Sequence, residues 1–284
     1  MSQDLFVTFG DGRRGFRLAA QRLVQEVQGS DWKTDLLLLN NDSARVQIGQ
    51  DWIEHEEWMK TTPRGYGFWV WKSIILKHAL RGTFGDYRRV VYLDSGCQFS
   101  LKNNPAKKRF SEYLEILDTH GGMAFAHRTG QFGINDFTDE VWGKKELHDA
   151  IYAPSKILKS NQILAGCLFL TPRILDVIEK WCDWATKDDY RYLRNPMPSE
   201  LQLPNFKAHR QDQSILSVLW KGAGLPTIPD ETWFAPNWGI EASQFPIWTI
   251  RNDSSIRLPS DSARSRFAHK FEVNRSLILD KLNF

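Results

Sequence analysis

The chain alternates between short apolar runs and stretches in which apolar residues recur every three or four positions. Leu5-Phe6-Val7-Thr8-Phe9 is a run of β-formers closed by Gly10-Asp11-Gly12, which predicts a buried first strand. Phe16, Ala19, Ala20, Leu23, Val24 and Val27 then share one helical face, and Gly29 supplies a stop. Asp35-Leu36-Leu37-Leu38-Leu39 predicts a second buried strand, ended by Asn40-Asn41-Asp42. Strand, helix, strand is a βαβ unit, for which a right-handed crossover is expected.

A polar, Trp-bearing segment from Asp51 to Lys60 follows, and Pro63, Gly65 and Gly67 mark a loop. The apolar residues after it, through Ile74, Ile75, Ala79 and Leu80, predict a helix. Val90-Val91-Tyr92-Leu93 reads as a third buried strand stopping at Asp94, and Met123-Ala124-Phe125-Ala126 as a fourth. Residues 128 to 160 are polar without a clear period and read as an excursion with short helices. Ile163 to Leu170 is a strong strand. Thr171-Pro172 opens a helix with Ile174, Val177, Ile178, Trp181 and Ala185 on one face. Residues 187 to 208 read as a loop, and Asp212 to Trp220 as a short helix ending near Gly222 and Gly224. Beyond Pro226 the pattern is irregular; such a tail wraps over an active-site mouth or packs on the outside.

Composition narrows the function class. With 284 residues, 42% of them hydrophobic, the chain can bury a large core as one α/β domain or two small ones. Its 37 basic residues nearly balance its 34 acidic ones, which argues against a nucleic-acid binder but leaves room for a local basic pocket. Cys97, Cys167 and Cys182 are odd in number and show no CxxC spacing, so buried thiols in a reducing cytosol are expected. The N-terminus lacks the basic and apolar regions of a secretory signal. The densest apolar stretch, Phe68 to Leu80, is interrupted by Lys72, Lys77 and His78 and is too short to span a bilayer. A cytoplasmic protein is expected, with association at the inner face of the membrane left open. The 12 Trp residues are expected mainly in the core, a minority serving as sugar-stacking platforms.

Four constellations carry candidate chemistry. Asp94 stands just past a buried strand, where open α/β sheets meet their ligands. A carboxylate there either holds Mg²⁺ or Mn²⁺ between two phosphates or accepts hydrogen bonds from a ribose. Gly96 would let a ligand approach the backbone. A Walker loop is missing, and a DxDx[TV] phosphatase would need Asp where Gly96 stands. Arg64-Gly65-Tyr66-Gly67-Phe68-Trp69-Val70-Trp71-Lys72 joins a loop to a helix. Arg64 and Lys72 either bind diphosphate oxygens, with Trp69 stacked on base or sugar, or Lys72 snorkels outward from an aromatic helix start. His209-Arg210-Gln211-Asp212-Gln213-Ser214 precedes an apolar helix. Asp212 is an N-cap or a general base, and His209 a structural group or a metal or phosphate ligand. Gln162 with Ala165-Gly166 places small residues midway along a buried strand, for which close packing is reason enough.

In this order, RGYGFWVWK, VVYLDSGC, QILAGCLFL and HRQDQSIL resemble a group of bacterial and viral glycosyltransferase-like proteins of the GT-A type, over residues 4 to 225. The resemblance implies a single GT-A-like α/β domain with a Rossmann-type, mixed, mostly parallel sheet flanked by helices. Residues 1–225 would form the nucleotide-sugar-binding and catalytic part, and 226–284 would pack on it. It implies transfer of a hexose from a nucleoside-diphosphate sugar to a glycan or lipid-linked glycan acceptor, as in surface polysaccharide synthesis. Asp94 would take the place of the first Asp of the DxD motif, with Gly96 in place of the second. Either His209 or His269 completes a site for a divalent cation, Mn²⁺ or Mg²⁺, or Arg64 and Lys72 neutralise the diphosphate without metal; the metal-assisted form is the one expected. Thr8 and Phe9 would border the base, Gln162 and Gly166 would line the donor, and Asp212 and Gln213 would face the transferred sugar and the acceptor. Two other readings remain: a non-catalytic carbohydrate-binding protein using its Trp residues, and a sugar nucleotidyltransferase using Gly10-Asp11-Gly12-Arg13-Arg14-Gly15 as a phosphate loop.

Overall fold

The computed structural model describes residues 3–12, 14–130, 134–232 and 242–249. The elements are β1 (Asp4–Phe9), α1 (Arg14–Gln28), β2 (Asp35–Leu39), α2 (Asn41–Ile48), α3 (Gln50–Thr61), the single turn α4 (Gly65–Phe68), α5 (Val70–Leu80), β3 (Arg89–Leu93), β4 (Gln98–Phe99), α6 (Asn104–His120) and β5 (Gly122–Ala126). The short helices α7 (Asp139–Trp142), α8 (Lys145–Ala150) and α9 (Ser155–Leu158) follow, then β6 (Ile163–Leu170), α10 (Leu175–Tyr190), α11 (Gln211–Gly222), β7 (Thr227–Pro229) and β8 (Ile247–Trp248).

A six-stranded sheet has the order β2-β1-β3-β6-β5-β7. Only β6 runs against the others: β1 pairs in parallel with β2 and β3, β5 with β7, and β6 is antiparallel to β3 and β5. The expected mixed, mostly parallel α/β sheet is thus the observed one. Period-two alternation sends Leu5, Val7 and Phe9 of β1 and Val90 and Tyr92 of β3 to one face, under α5, α10 and α11. Phe6, Val91, Leu93 and Phe169 go to the other, under α1 and α6.

Three local expectations are corrected. β2 lies at the edge of the sheet, with Leu36 and Leu37 half-buried and Leu38 exposed, so its run of four leucines did not mean a buried strand. Asn40 does not merely end that strand. It caps α2 in a reciprocal pair with Ser43, whose N–H donates to Asn40 Oδ1 while its hydroxyl accepts from the Asn40 N–H. The segment beyond Pro226 begins as regular structure, because β7 extends the main sheet and β8 pairs with β4. All three cysteines are free and buried, as small apolar fillers. Among the described residues, no helix is long and apolar enough to cross a membrane.

One buried cation ties α1 to the turn behind β3. Arg22 donates to the Ser95 and Cys97 carbonyls, at 3.2 and 2.9 Å, and pairs with Glu26 at 2.9 Å. Glu26 in turn accepts from the Phe99 N–H at 3.0 Å. Two carbonyls and a carboxylate would lose their partner in Arg22→Met. That variant is expected to unfold in urea with a loss of about 3 kcal/mol in stability.

Candidate functional site

Asp94 continues the alternation of β3, so its side chain leaves the sheet on the same face as Tyr92, beneath α5 and α11. The Tyr92 hydroxyl donates to Asp94 Oδ1 at 2.5 Å. Lys72, in the first turn of α5, places Nζ 3.2 Å from the same oxygen and 3.3 Å from Oδ2 of Asp212. The side chains of Lys72 and Asp212 are almost closed off, at 3% and 6% exposure, whereas that of Asp94 is 40% exposed. Asp94 is therefore the member of this triad that a ligand can reach directly.

Each group owes its position to a local device. Gly166 of β6 faces Asp94, and a Cβ there would lie 2.6 Å from Asp94 Oδ2. The small residue for which close packing was reason enough, and which was also expected to line the donor, is what makes room for the carboxylate. The Asp94 N–H donates to the Gly166 carbonyl at 2.9 Å, and the Cys97 N–H to the Asp94 carbonyl at 2.8 Å, so the turn holding Gly96 is pinned on both sides. Asp212 is not an N-cap. Helix α11 begins at Gln211, and the Ser214 hydroxyl accepts from the Arg210 N–H while donating to the Trp142 carbonyl. The Trp181 indole N–H holds the Asp212 carbonyl at 3.0 Å, leaving the carboxyl turned toward Lys72.

Lys72 does not snorkel, because α5 is buried almost all round and offers it no wet side. Its Nζ rests 5.5 Å from the Tyr92 ring centroid and 5.7 Å from that of Trp71. The start of α5 is set by an unusual stretch of backbone. Gly65, Tyr66, Gly67, Phe68 and Trp69 all have φ between 52 and 80°. Three of these are bulky L-residues in the left-handed region, each costing about 1 kcal/mol or more. The turn is held by Trp58 and Trp71, whose indole N–H groups donate to the Gly67 and Gly65 carbonyls, and the Trp69 indole lies against Gly65.

The other expected site residues are placed as follows. Phe9 stacks on Trp71 with ring centroids 4.3 Å apart, and the β1–β3 register sets it level with Asp94. Thr8 is fully buried on the opposite face, its hydroxyl without a hydrogen-bond partner. Arg64 is exposed at the head of the left-handed turn, and Trp69 is half-buried. Gln162 is fully buried and accepts from Gln213 Nε2 at 3.0 Å. Around them stand groups that sequence reasoning missed: Tyr92 on Asp94, His127 within 3.4 Å of Gln213, and Arg210 packed over Trp142 at 4.3 Å. Only Tyr92 had a signal, since residues i and i+2 of a strand share a face.

The electrostatics separate the triad. Burial, opposed by Lys72 and reinforced by Asp94, pushes Asp212 up to about 6. Burial disfavours the Lys72 ammonium, but Asp212 and Asp94 outweigh it and hold its pKa above the usual value. The Lys72–Asp212 contact falls outside hydrogen-bond alignment, so Oδ2 of Asp212 keeps an unmatched lone pair.

For a divalent cation the donor set fits poorly here. An ion reaching both carboxylates would share their gap with an ammonium. At about 4 Å and an effective dielectric near 20, that repulsion is on the order of 8 kcal/mol. His209 does not join the pair: Nδ1 accepts from the Lys144 N–H at 3.3 Å, Nε2 bonds the Tyr192 carbonyl at 2.8 Å, and burial lowers its pKa to about 3. His269 lies outside the described residues. Elsewhere, the ligand atoms of Asp51, Glu54 and His55 lie within 4.8 Å of one another, close enough to hold a cation. Asp51 is already paired there with Lys77 and His78, and His55 with the Tyr190 hydroxyl.

Two outcomes test this geometry. Because Asp212 has a folded-state pKa above its unfolded value, its protonated form favours the folded state. That contribution is complete below about pH 4 and is lost as pH rises through about 6. Asp212→Asn should therefore match the parent near pH 4 and exceed it by about 3 kcal/mol at pH 8 in urea titrations. Gly166→Ala should fold yet shift the Asp94 carboxylate, with a loss of about 100-fold in any reaction that uses it.

No protein-family model matches the chain, and no curated protein matches it. Among solved structures, mouse xyloside xylosyltransferase 1 in its apo form is 10% identical, with a TM-score of 0.44 over 89% of this chain and 100% of that one. A glycosyltransferase involved in glycosylation of the major capsid of PBCV-1 is 9% identical, with a TM-score of 0.42 over 94% of this chain and 100% of that one.

Proposed function

We propose that this protein is a glycosyltransferase that moves a hexose from a nucleoside-diphosphate sugar to a glycan or lipid-linked glycan acceptor. The observation that carries the reading is the meeting of Asp94 and Asp212, 118 residues apart in sequence, on one buried lysine at the carboxyl end of a mostly parallel sheet. The order of the Arg-Gly-Tyr-Gly, Tyr-Leu-Asp and Asp-Gln-Ser segments supports it.

In this reading the half-open Asp94 accepts hydrogen bonds from donor hydroxyls, beside Gly96 and Gly166. Phe9 and Trp69 flank the base end, and Arg64 lies on the diphosphate side. Gln213, fixed by Gln162, faces the sugar. Where the reaction inverts, the acceptor oxygen bonds to the anomeric carbon as the bond from that carbon to the diphosphate breaks. The acceptor proton enters at Asp94, the exposed member of the triad, and passes through the Lys72 ammonium between the two carboxylates to Asp212, while the diphosphate leaves with the electron pair. A carboxylate that titrates near 6 is matched to that task at neutral pH. The phosphate-loop alternative gains no support, since Asp11 turns its carboxylate to the backbone N–H groups of Gly12 and Asn41. Nor do the Trp residues form an exposed platform: six are buried and four half-buried among those described.

The test is a screen of uridine and guanosine diphosphate sugars for binding and slow hydrolysis. One donor is expected to turn over, and Asp94→Ala to abolish it; undiminished turnover in that variant would remove Asp94 from the reaction. Asp212→Asn should lower kcat more than it raises KM, and erase the rise of activity with pH near 6.

A further inference from the structure

The feature that a two-carboxylate donor site does not itself explain is the lysine between the carboxylates. We propose that Lys72 is the resident cation of this site, and that the donor binds and reacts there without a divalent metal. The inference rests on the donor reading above and deepens it.

Nζ lies 3.2 Å from Asp94 and 3.3 Å from Asp212, in the gap that an ion joining both would need. The ammonium has no route out. Its stem is enclosed in α5, Trp71 and Tyr92 flank the charge, and the Lys72 N–H is tied to the Trp69 carbonyl at 3.0 Å. With the ammonium in place, the carboxylate pair carries at most one net negative charge, and the electrostatic pull on a divalent ion is at least halved. The same charge lowers the repulsion between Asp94 and an approaching diphosphate, so Asp94 can receive donor hydroxyls without an ion bridging the two anions. The strained left-handed turn before α5 fits this role, because it delivers a lysine rather than a ligand side chain into the gap.

The experiment uses the full chain, stripped with EDTA. In the wild type, Mn²⁺ is expected to change nucleotide-sugar affinity and hydrolysis by no more than about twofold. In EDTA, Lys72→Met should lose about 100-fold in affinity, while Lys72→Arg should retain metal-independent binding. A second arm needs no donor. Removing the ammonium bares the two carboxylates, so Mn²⁺ alone should raise the melting temperature of Lys72→Ala well beyond any effect on the wild type. Lys72→Ala/Asp94→Ala should lose that gain. Donor binding that vanishes in EDTA and returns with Mn²⁺ in the wild type would overturn the inference and leave the donor reading standing. Equal Mn²⁺ responses of wild type and Lys72→Ala would also overturn it. No donor binding in either condition would instead remove the donor reading, and the Mn²⁺ arm would still decide the role of the lysine.

Discussion

A single buried ammonium holds the two halves of this site together. Lys72 comes from a helix packed on the sheet, Asp94 from the end of a central strand, and Asp212 from the first turn of a helix more than a hundred residues later. Taking such a group out of water costs several kcal/mol, which only close, well-placed counter-charges offset. Here two carboxylates and two aromatic faces share that task, while the Tyr92 hydroxyl holds Asp94 in place. The arrangement does not make the fold more stable than an apolar core would. It fixes which residues meet, because any other pairing leaves a charge buried alone.

That constraint explains features that look unrelated along the chain. Gly166 is small because Asp94 leans over it. Arg22 is buried because the turn after Asp94 must stay in place, and its two carbonyl contacts hold it there. The bulky residues at positive φ before α5 are tolerated because Trp58, Trp71 and Trp69 pack around them. Many of the Trp residues thus act as struts beneath the site rather than as surfaces for sugar.

The parts of the fold that were legible in sequence are those where one interaction dominates. Strands β1, β3 and β6 read correctly because burial on both faces demands unbroken apolar runs. The face of α10 read correctly because its apolar spacing had no competitor. Helix α3 was not legible. It buries Trp52, Glu56 and Met59, and a glutamate in the middle of that face makes sense only once Asn41, Arg45 and Lys60 surround it. The edge position of β2 was equally hidden, since four leucines in a row do not say which neighbours will pair. At the site, Asp94, Lys72 and Asp212 were each legible as polar residues out of keeping with their surroundings. That Asp94 and Asp212 would face one site was expected; the lysine between them was not, because neither outward snorkelling nor a diphosphate role for Lys72 suggests a carboxylate on either side.

The two carboxylates are chemically alike but differ in environment, and that difference divides the labour between them. Asp94 faces the opening and shares its Oδ1 between Tyr92 and Lys72, with Oδ2 left against a glycine. Asp212 sits behind the lysine, with one oxygen unmatched and a proton affinity raised by burial. An open carboxylate suits the recognition of hydroxyl groups, while a closed one that titrates near 6 suits the movement of a proton. Exchanging their environments would give a group too buried to meet a ligand and another too solvated to hold a proton near neutrality. The lysine makes the division possible, because its one charge serves both neighbours without making them equivalent.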